Sequence, residues 1–174
     1  MVTHHGQTFK LSDNVLVVLF APDSVFAVAM HNVKNVSIVF KLTYGETSVL
    51  FTGDLEHEGD ELLLPYENIL KADILKIAHH GSITNTTEKL LYFIQPEYAI
   101  VSVGKKNKFK HPSQIVMQRL KKQNINITID YPNSKFILSS NKLFSPPTSF
   151  TACSTQKLNV PMKPGKLGDW ASMQ

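Results

Sequence analysis

The architecture hinges on Ala72-Asp73-Ile74-Leu75-Lys76-Ile77-Ala78-His79-His80-Gly81-Ser82. Ile74–Ala78 is an apolar run of strand length, and a polar loop follows it at once. Beyond the loop, Thr87–Ile94 sets Leu90, Leu91 and Ile94 on one helical face, and Pro96 ends it. Strand, loop and helix in succession are the repeating unit of an α/β domain. Two adjacent histidines before a glycine are an unusual loop composition, and an imidazole at a strand end is a common metal ligand. The plainer reading is a polar loop that happens to hold two histidines.

Upstream, Val15–Phe20 is a buried-strand pattern closed by Ala21-Pro22-Asp23, since proline cannot donate to a ladder. Ser37–Thr43 and Thr47–Thr52 are β-rich runs joined through Tyr44-Gly45-Glu46, a hairpin pattern. Glu56–Leu70 carries Leu62, Leu63, Leu64, Ile69 and Leu70 among acids, which predicts one helix or two interrupted at Pro65. Downstream, Tyr98–Val103 is another buried strand. Pro112–Lys122 is a predicted helix with Ile115, Val116 and Leu120 inward and its first turn at Pro112. Asn126–Ile129 and Lys135–Leu138 read as a closing strand pair. The class is therefore α/β, with a domain over 1–144. In 145–174, Pro146, Pro147, Pro161 and Pro164 punctuate a polar stretch without period, so a disordered or loosely attached tail is expected there.

A chain of 174 residues with 43% hydrophobic content can bury an ordinary core, which excludes a disordered chain or a small peptide scaffold. Cys153 is the single cysteine, so neither an intramolecular disulfide nor a cysteine-rich zinc framework can form. That favours a reducing, cytoplasmic compartment and leaves metal binding to histidines and carboxylates. No run reaches the ~18 apolar residues of a membrane span, and Met1–Lys10 lacks a signal-peptide layout. Lys and Arg number 18 against 14 acids, and the excess of +4 is local. Lys105–Lys122 holds Lys105, Lys106, Lys108, Lys110, Arg119, Lys121 and Lys122 with no acid. Such a segment suits phosphodiester backbones, though it also fits a merely solvated face.

Two further loops carry chemistry. Phe51-Thr52-Gly53-Asp54 delivers a carboxylate at the end of an apolar strand, and its simpler role would be to cap the following helix. Asp54 and His80 both follow apolar strands, so an α/β sheet would turn them toward one crevice. Asn107-Lys108-Phe109-Lys110-His111-Pro112 is expected to bring His111 to the same sheet edge. Asp73 reads as structural, and His4, His5, His31 and His57 have no partner spacing.

In order, Asn35-Val36-Ser37-Ile38-Val39, Leu50-Phe51-Thr52-Gly53-Asp54-Leu55-Glu56, the His79-His80-Gly81-Ser82 loop, Ile100-Val101-Ser102-Val103-Gly104 and Asn107…His111-Pro112 resemble the metallo-β-lactamase-fold domain of ComEC-type competence proteins. The resemblance runs from about Phe9 to Leu138, and its most specific element is Gly-Asp-Leu-Glu combined with His-His-Gly-Ser. It implies a four-layer αββα sandwich and a hydrolase that activates water with one or two metal ions, zinc or manganese. Asp54 and His80 resemble metal ligands, and His79 and His111 resemble groups that meet substrate or developing charge. Asn35 and Ser37 resemble the polar pair at the start of the family's second half, and with Ser82, Lys106 and Lys108 they are the expected substrate contacts. The Asn107 to His111 spacing is longer than the family's Asn-x-x-His-Pro type loop.

Members of that family that cleave substrate carry an early His-x-His/Asp-x-Asp-His signature. Thr3-His4-His5-Gly6 begins like it but continues Gln7-Thr8-Phe9. The sandwich is therefore expected to lack its N-terminal half, and a catalytic metal needs roughly three protein ligands. The expectations are a phosphodiester- or DNA-directed hydrolase type, inactive alone, or a non-catalytic nucleic-acid binder using 105–122. A homo-oligomer or a complementary N-terminal half is the partner such a half-sandwich calls for.

Overall fold

A computed structural model describes residues 6–22 and 36–130. Seven strands form one sheet in chain order: β1 (Thr8–Ser12), β2 (Val15–Ala21), β3 (Val39–Tyr44), β4 (Thr47–Phe51), β5 (Ile74–Lys76), β6 (Tyr98–Ser102) and β7 (Asn126–Asp130). The first four pair antiparallel. From β4 onward every pairing is parallel, with Leu50 opposite Leu75, Leu75 opposite Ala99, and Ile100 opposite Thr128.

Parallel neighbours need crossovers, which α1 (His57–Leu63), α2 (Glu88–Ile94) and α3 (Gln114–Lys122) supply. Each new strand is added on the same side of the last, so crossovers of one hand stack all three helices on one face. The core confirms it. Leu63, Leu90, Leu91, Ile94, Val116 and Leu120 from the helices meet Leu50, Leu75, Ile77, Ala99 and Val101 from the sheet. At about 1.5–3 kcal/mol for each large apolar side chain fully buried, this layer dominates the stabilisation.

The other face holds a smaller cluster of Val49, Ile74 and Ile100 with Phe51 and Tyr98 against it, and Phe40 stacks on Phe51 at 4.7 Å. Strand side chains alternate, so that face ends at the carboxyl edge in Lys76 of β5, Ser102 of β6 and Asp130 of β7. The described residues thus form two layers, helices over a mixed sheet, in keeping with a metallo-β-lactamase fold. None of their helices is long and apolar enough to cross a membrane.

Most elements match the pattern reading, and the departures have local causes. The helical stretch after Asp54 breaks into α1 and a 3-10 segment, Leu64–Leu70, because Pro65 cannot continue an α-helical ladder. Pro112 does not open α3. Ser113 does, its hydroxyl accepting from the Ile115 N–H at 3.3 Å, and the helix begins at Gln114. Ile115 is 42% exposed, against the inward position expected, while Val116 and Leu120 are buried, because Ile115 stands about 140° around the helix from Leu120. β1 was not assigned as a strand of its own although Phe9 and Leu11 alternate with polar Thr8, Lys10 and Ser12; all five of its residues are exposed. Asp73 is structural as expected: one carboxylate oxygen accepts from both the N–H and the hydroxyl of Ser48 at 2.7 Å, fastening the start of β5 to β4. The Lys135–Leu138 strand and the 145–174 tail lie outside the described residues, as do Asn35, His4, His5, His31 and Cys153.

Candidate functional site

Parallel strands in an open sheet gather ligand-binding side chains at their carboxyl ends, and the loops after β4, β5 and β6 meet there. The His79 N–H donates to the Gly53 carbonyl at 3.0 Å, joining the loop after β5 to that after β4. The Ser113 N–H donates to the Gly81 carbonyl at 2.8 Å, joining it to the loop after β6. Both contact points need glycine. A Cβ on Gly53 would stand 2.8 Å from the Ser37 Cβ, and one on Gly81 would stand 2.7 Å from the Pro112 Cβ.

Asp54 is exposed at the tip of the first loop, and its N–H donates to the Ser37 hydroxyl at 3.0 Å. It does not cap α1: that position belongs to Glu56, whose side chain makes no capping bond. Glu56 turns instead toward His79, with Oε1 3.5 Å from Nδ1, and both side chains are largely buried. His79 and His80 occupy a 3-10 turn with φ of 42° and 55°, left-handed conformations that non-glycine residues seldom hold. The His80 Nδ1 lies 2.7 Å from the Ser102 carbonyl, so Nδ1 carries the proton and Nε2 is left as a ligand or acceptor. The His111 ring centre stands 5.8 Å from that of His79. Asn107 braces the third loop: its amide donates to the carbonyls of Gly104 and His111 at 3.0 and 2.9 Å, and its oxygen accepts from the His111 N–H at 2.8 Å.

Of the residues singled out in the sequence, Asp54, His79, His80 and His111 therefore share one edge. Ser37 lies beneath Asp54. Ser82 is buried in the turn, sharing its hydroxyl with Thr84 at 3.1 Å. Lys106, Lys108 and Lys110 are exposed in the third loop. Two residues of the basic segment make contacts with the rest of the fold. Arg119 donates to the Asn85 carbonyl at 2.9 Å, and Lys122 pairs with Glu88 of α2 at 3.1 Å.

Four residues of this edge were given no site role from the sequence: Glu56, Lys76 and Ser102, which stood only within the quoted motifs, and Asp130. Burial pushes the Lys76 ammonium below the ordinary lysine range, while the Asp54 and Asp130 carboxylates pull it back up. Lys76 also donates to the Ile77 carbonyl at 2.8 Å, and the Ser102 hydroxyl donates to Asp130 at 2.8 Å. The signal was a lone lysine in an otherwise apolar strand, Ile74-Leu75-Lys76-Ile77.

The donor chemistry bears on metal. His80 Nε2 and Asp54 are two oriented donors, but among the described residues no group of three or more His, Cys, Asp or Glu side chains is placed to hold an ion. A catalytic zinc needs about three. Lys76 already puts a positive charge in the field of Asp54. The described residues by themselves do not fit a catalytic metal.

Comparison with known proteins agrees with the geometry. The family model described as metallo-beta-lactamase superfamily matches residues 4–105. The chain is 41% identical over 93 residues to ComE operon protein 3 of Bacillus subtilis, a match covering 53% of this chain and 12% of that protein. It is 36% identical over 92 residues to competence protein ComA of Neisseria gonorrhoeae, covering 52% and 13%. It is 40% identical over 84 residues to recombination protein 2 of Haemophilus influenzae, covering 48% and 10%. The match thus spans about an eighth of the length of these relatives. The resemblance to ComEC-type competence proteins read from the motifs is borne out.

Proposed function

The chain belongs to the metallo-beta-lactamase superfamily, and on that premise we propose that it is a hydrolase-type domain directed at phosphodiesters, DNA foremost. The observation that carries this reading is the meeting of Asp54, His79, His80 and His111 at one sheet edge beside a lysine loop without acids. His80 and Asp54 would hold an ion, zinc or manganese, only with further ligands from beyond the described residues, and a bound ion would supply water activation. A homo-oligomer or a complementary N-terminal half would bring those ligands. The chain's own groups act on the substrate. Lys106 and Lys108 neutralise backbone phosphates, and Ser37, Ser82 and Asn35, the last outside the described residues, are the proposed further substrate contacts. His79, with Glu56 beside its Nδ1, and His111 donate to the phosphoryl oxygens as charge develops.

Alone, the 174 residues are expected to be inactive. Bis-p-nitrophenyl phosphate and single-stranded DNA, each with added Mn²⁺, test this. The expected result is no turnover above buffer, and robust hydrolysis abolished by Asp54→Ala would establish an enzyme and sink the inactivity proposal. A non-catalytic nucleic-acid binder is the second reading, favoured by the exposure of Lys106, Lys108 and Lys110 apart from the donor pair. Salt-dependent DNA binding that survives both Asp54→Ala and chelator would select it.

A further inference from the structure

Phe109 is 67% exposed at the tip of the loop after β6. Burial in the core would be the ordinary fate of so large an apolar ring. The loop prevents that, since Asn107 ties both of its ends and Lys110 turns the backbone with a φ of 57°. One neighbour of the ring is His111, stacked at 5.8 Å and 18° between planes, and another is the Lys108 ammonium, 5.2 Å from the ring centre. His79, His111 and Phe109 thus form a row of rings in steps of 5.8 Å, leading from the sheet edge outward. Lys105, Lys106, Lys108 and Lys110 stand in the same loop, and 104–122 contains no carboxylate.

An exposed aromatic held rigid among cations has one chemically obvious occupant. A hydrophobic protein partner would be served by an apolar patch, but the immediate sequence neighbours of Phe109 are Lys108 and Lys110. An unpaired nucleobase offers a flat π-face for the ring and a phosphate on each side for the lysines. We infer that Phe109 is a stacking platform for a base of single-stranded nucleic acid, which lays the strand's backbone along His111 and His79. The inference rests on the phosphodiester reading and narrows it to a strand whose bases are free to stack. Duplex DNA, with its bases already stacked, would gain only from the lysines.

Fluorescence anisotropy of the full chain in chelator, at low salt, tests it with short oligothymidine and an abasic strand of equal length. The expected result is that wild type prefers oligothymidine. Phe109→Ala should weaken oligothymidine binding roughly 5- to 100-fold while leaving the abasic strand and the salt slope unchanged, and Phe109→Trp should retain affinity. Lys106→Ala with Lys108→Ala should weaken both strands alike and flatten the salt slope. If wild type binds both strands equally, or Phe109→Ala matches wild type on oligothymidine, the platform is overturned and the phosphodiester reading stands. If wild type binds neither strand, both fall.

Discussion

Asp54 and Asp60 lie six positions apart on either side of one helix start, and the fold treats them oppositely. Asp54 stands in water at the carboxyl edge of the sheet. Asp60 is 0% exposed. One of its oxygens accepts from the Thr87 N–H at 2.7 Å, and the Thr87 hydroxyl in turn accepts from the Leu90 N–H at 3.2 Å, so Asp60 anchors the entry to α2. Its other oxygen is buried with no partner. Burial raises its pKa from 3.8 to about 6, against the pull of the Thr87 bonds and the His57 and Arg119 charges. The carboxylate that builds the molecule is hidden, and the one aligned with the chemistry is not needed to build it.

Removing each should expose that division. Asp60→Ala leaves the Thr87 N–H buried without an acceptor and opens a void, so urea denaturation should show a loss of about 2–4 kcal/mol near pH 5. An unchanged midpoint would mean that α2 is held without Asp60. Because the folded pKa of Asp60 lies above its unfolded one, its contribution is fully present below pH 3.8 and is lost as pH rises through about 6. Wild-type stability should carry a downward slope over that window, worth about 3 kcal/mol at the most. Asp60→Asn should flatten the slope, and denaturation midpoints on both sides of the window would read it.

Asp54→Ala should move the midpoint by less than about 0.5 kcal/mol, as for an exposed position. A larger change would make Asp54 structural and weaken its assignment to the site. Calorimetric titration of the wild-type chain with Zn²⁺ or Mn²⁺ should find weak binding at most, and submicromolar affinity would show that the donors are complete. The smallest effect on the fold belongs to the loop. Lys106→Ala and Lys108→Ala should leave stability untouched and each reduce the salt slope of DNA binding by about 1.

The legible parts of this protein were those written in consecutive residues. Ile74–Ala78 reads as a strand and His79-His80-Gly81 as its loop because backbone pattern and chemistry coincide there. Asp60 offered no such sign. Nothing in Glu58-Gly59-Asp60-Glu61 distinguishes the acid that the arrival of α2 will bury from those left in water. Lys76 was passed over because Ile74–Ala78 read as one buried apolar strand, whereas burial and the Asp54 and Asp130 carboxylates act on its charge. Ile115 was legible and misassigned: five residues from Leu120, it stands about 140° around the helix from it, off the face that Val116 and Leu120 share. For Asp60 and Lys76 a neighbour distant in the chain decided the outcome.

The left-handed backbone at His79 and His80 bears on any attempt to engineer this protein. Each residue holds a conformation that costs an L-amino acid about 1–2 kcal/mol and costs glycine almost nothing. A library selected for thermal resistance alone would therefore drift toward glycine at both positions and discard the two imidazoles while improving the protein by its own measure. Stabilised variants should be sought with His79 and His80 held fixed, because here thermostability and the candidate chemistry draw on the same two torsion angles.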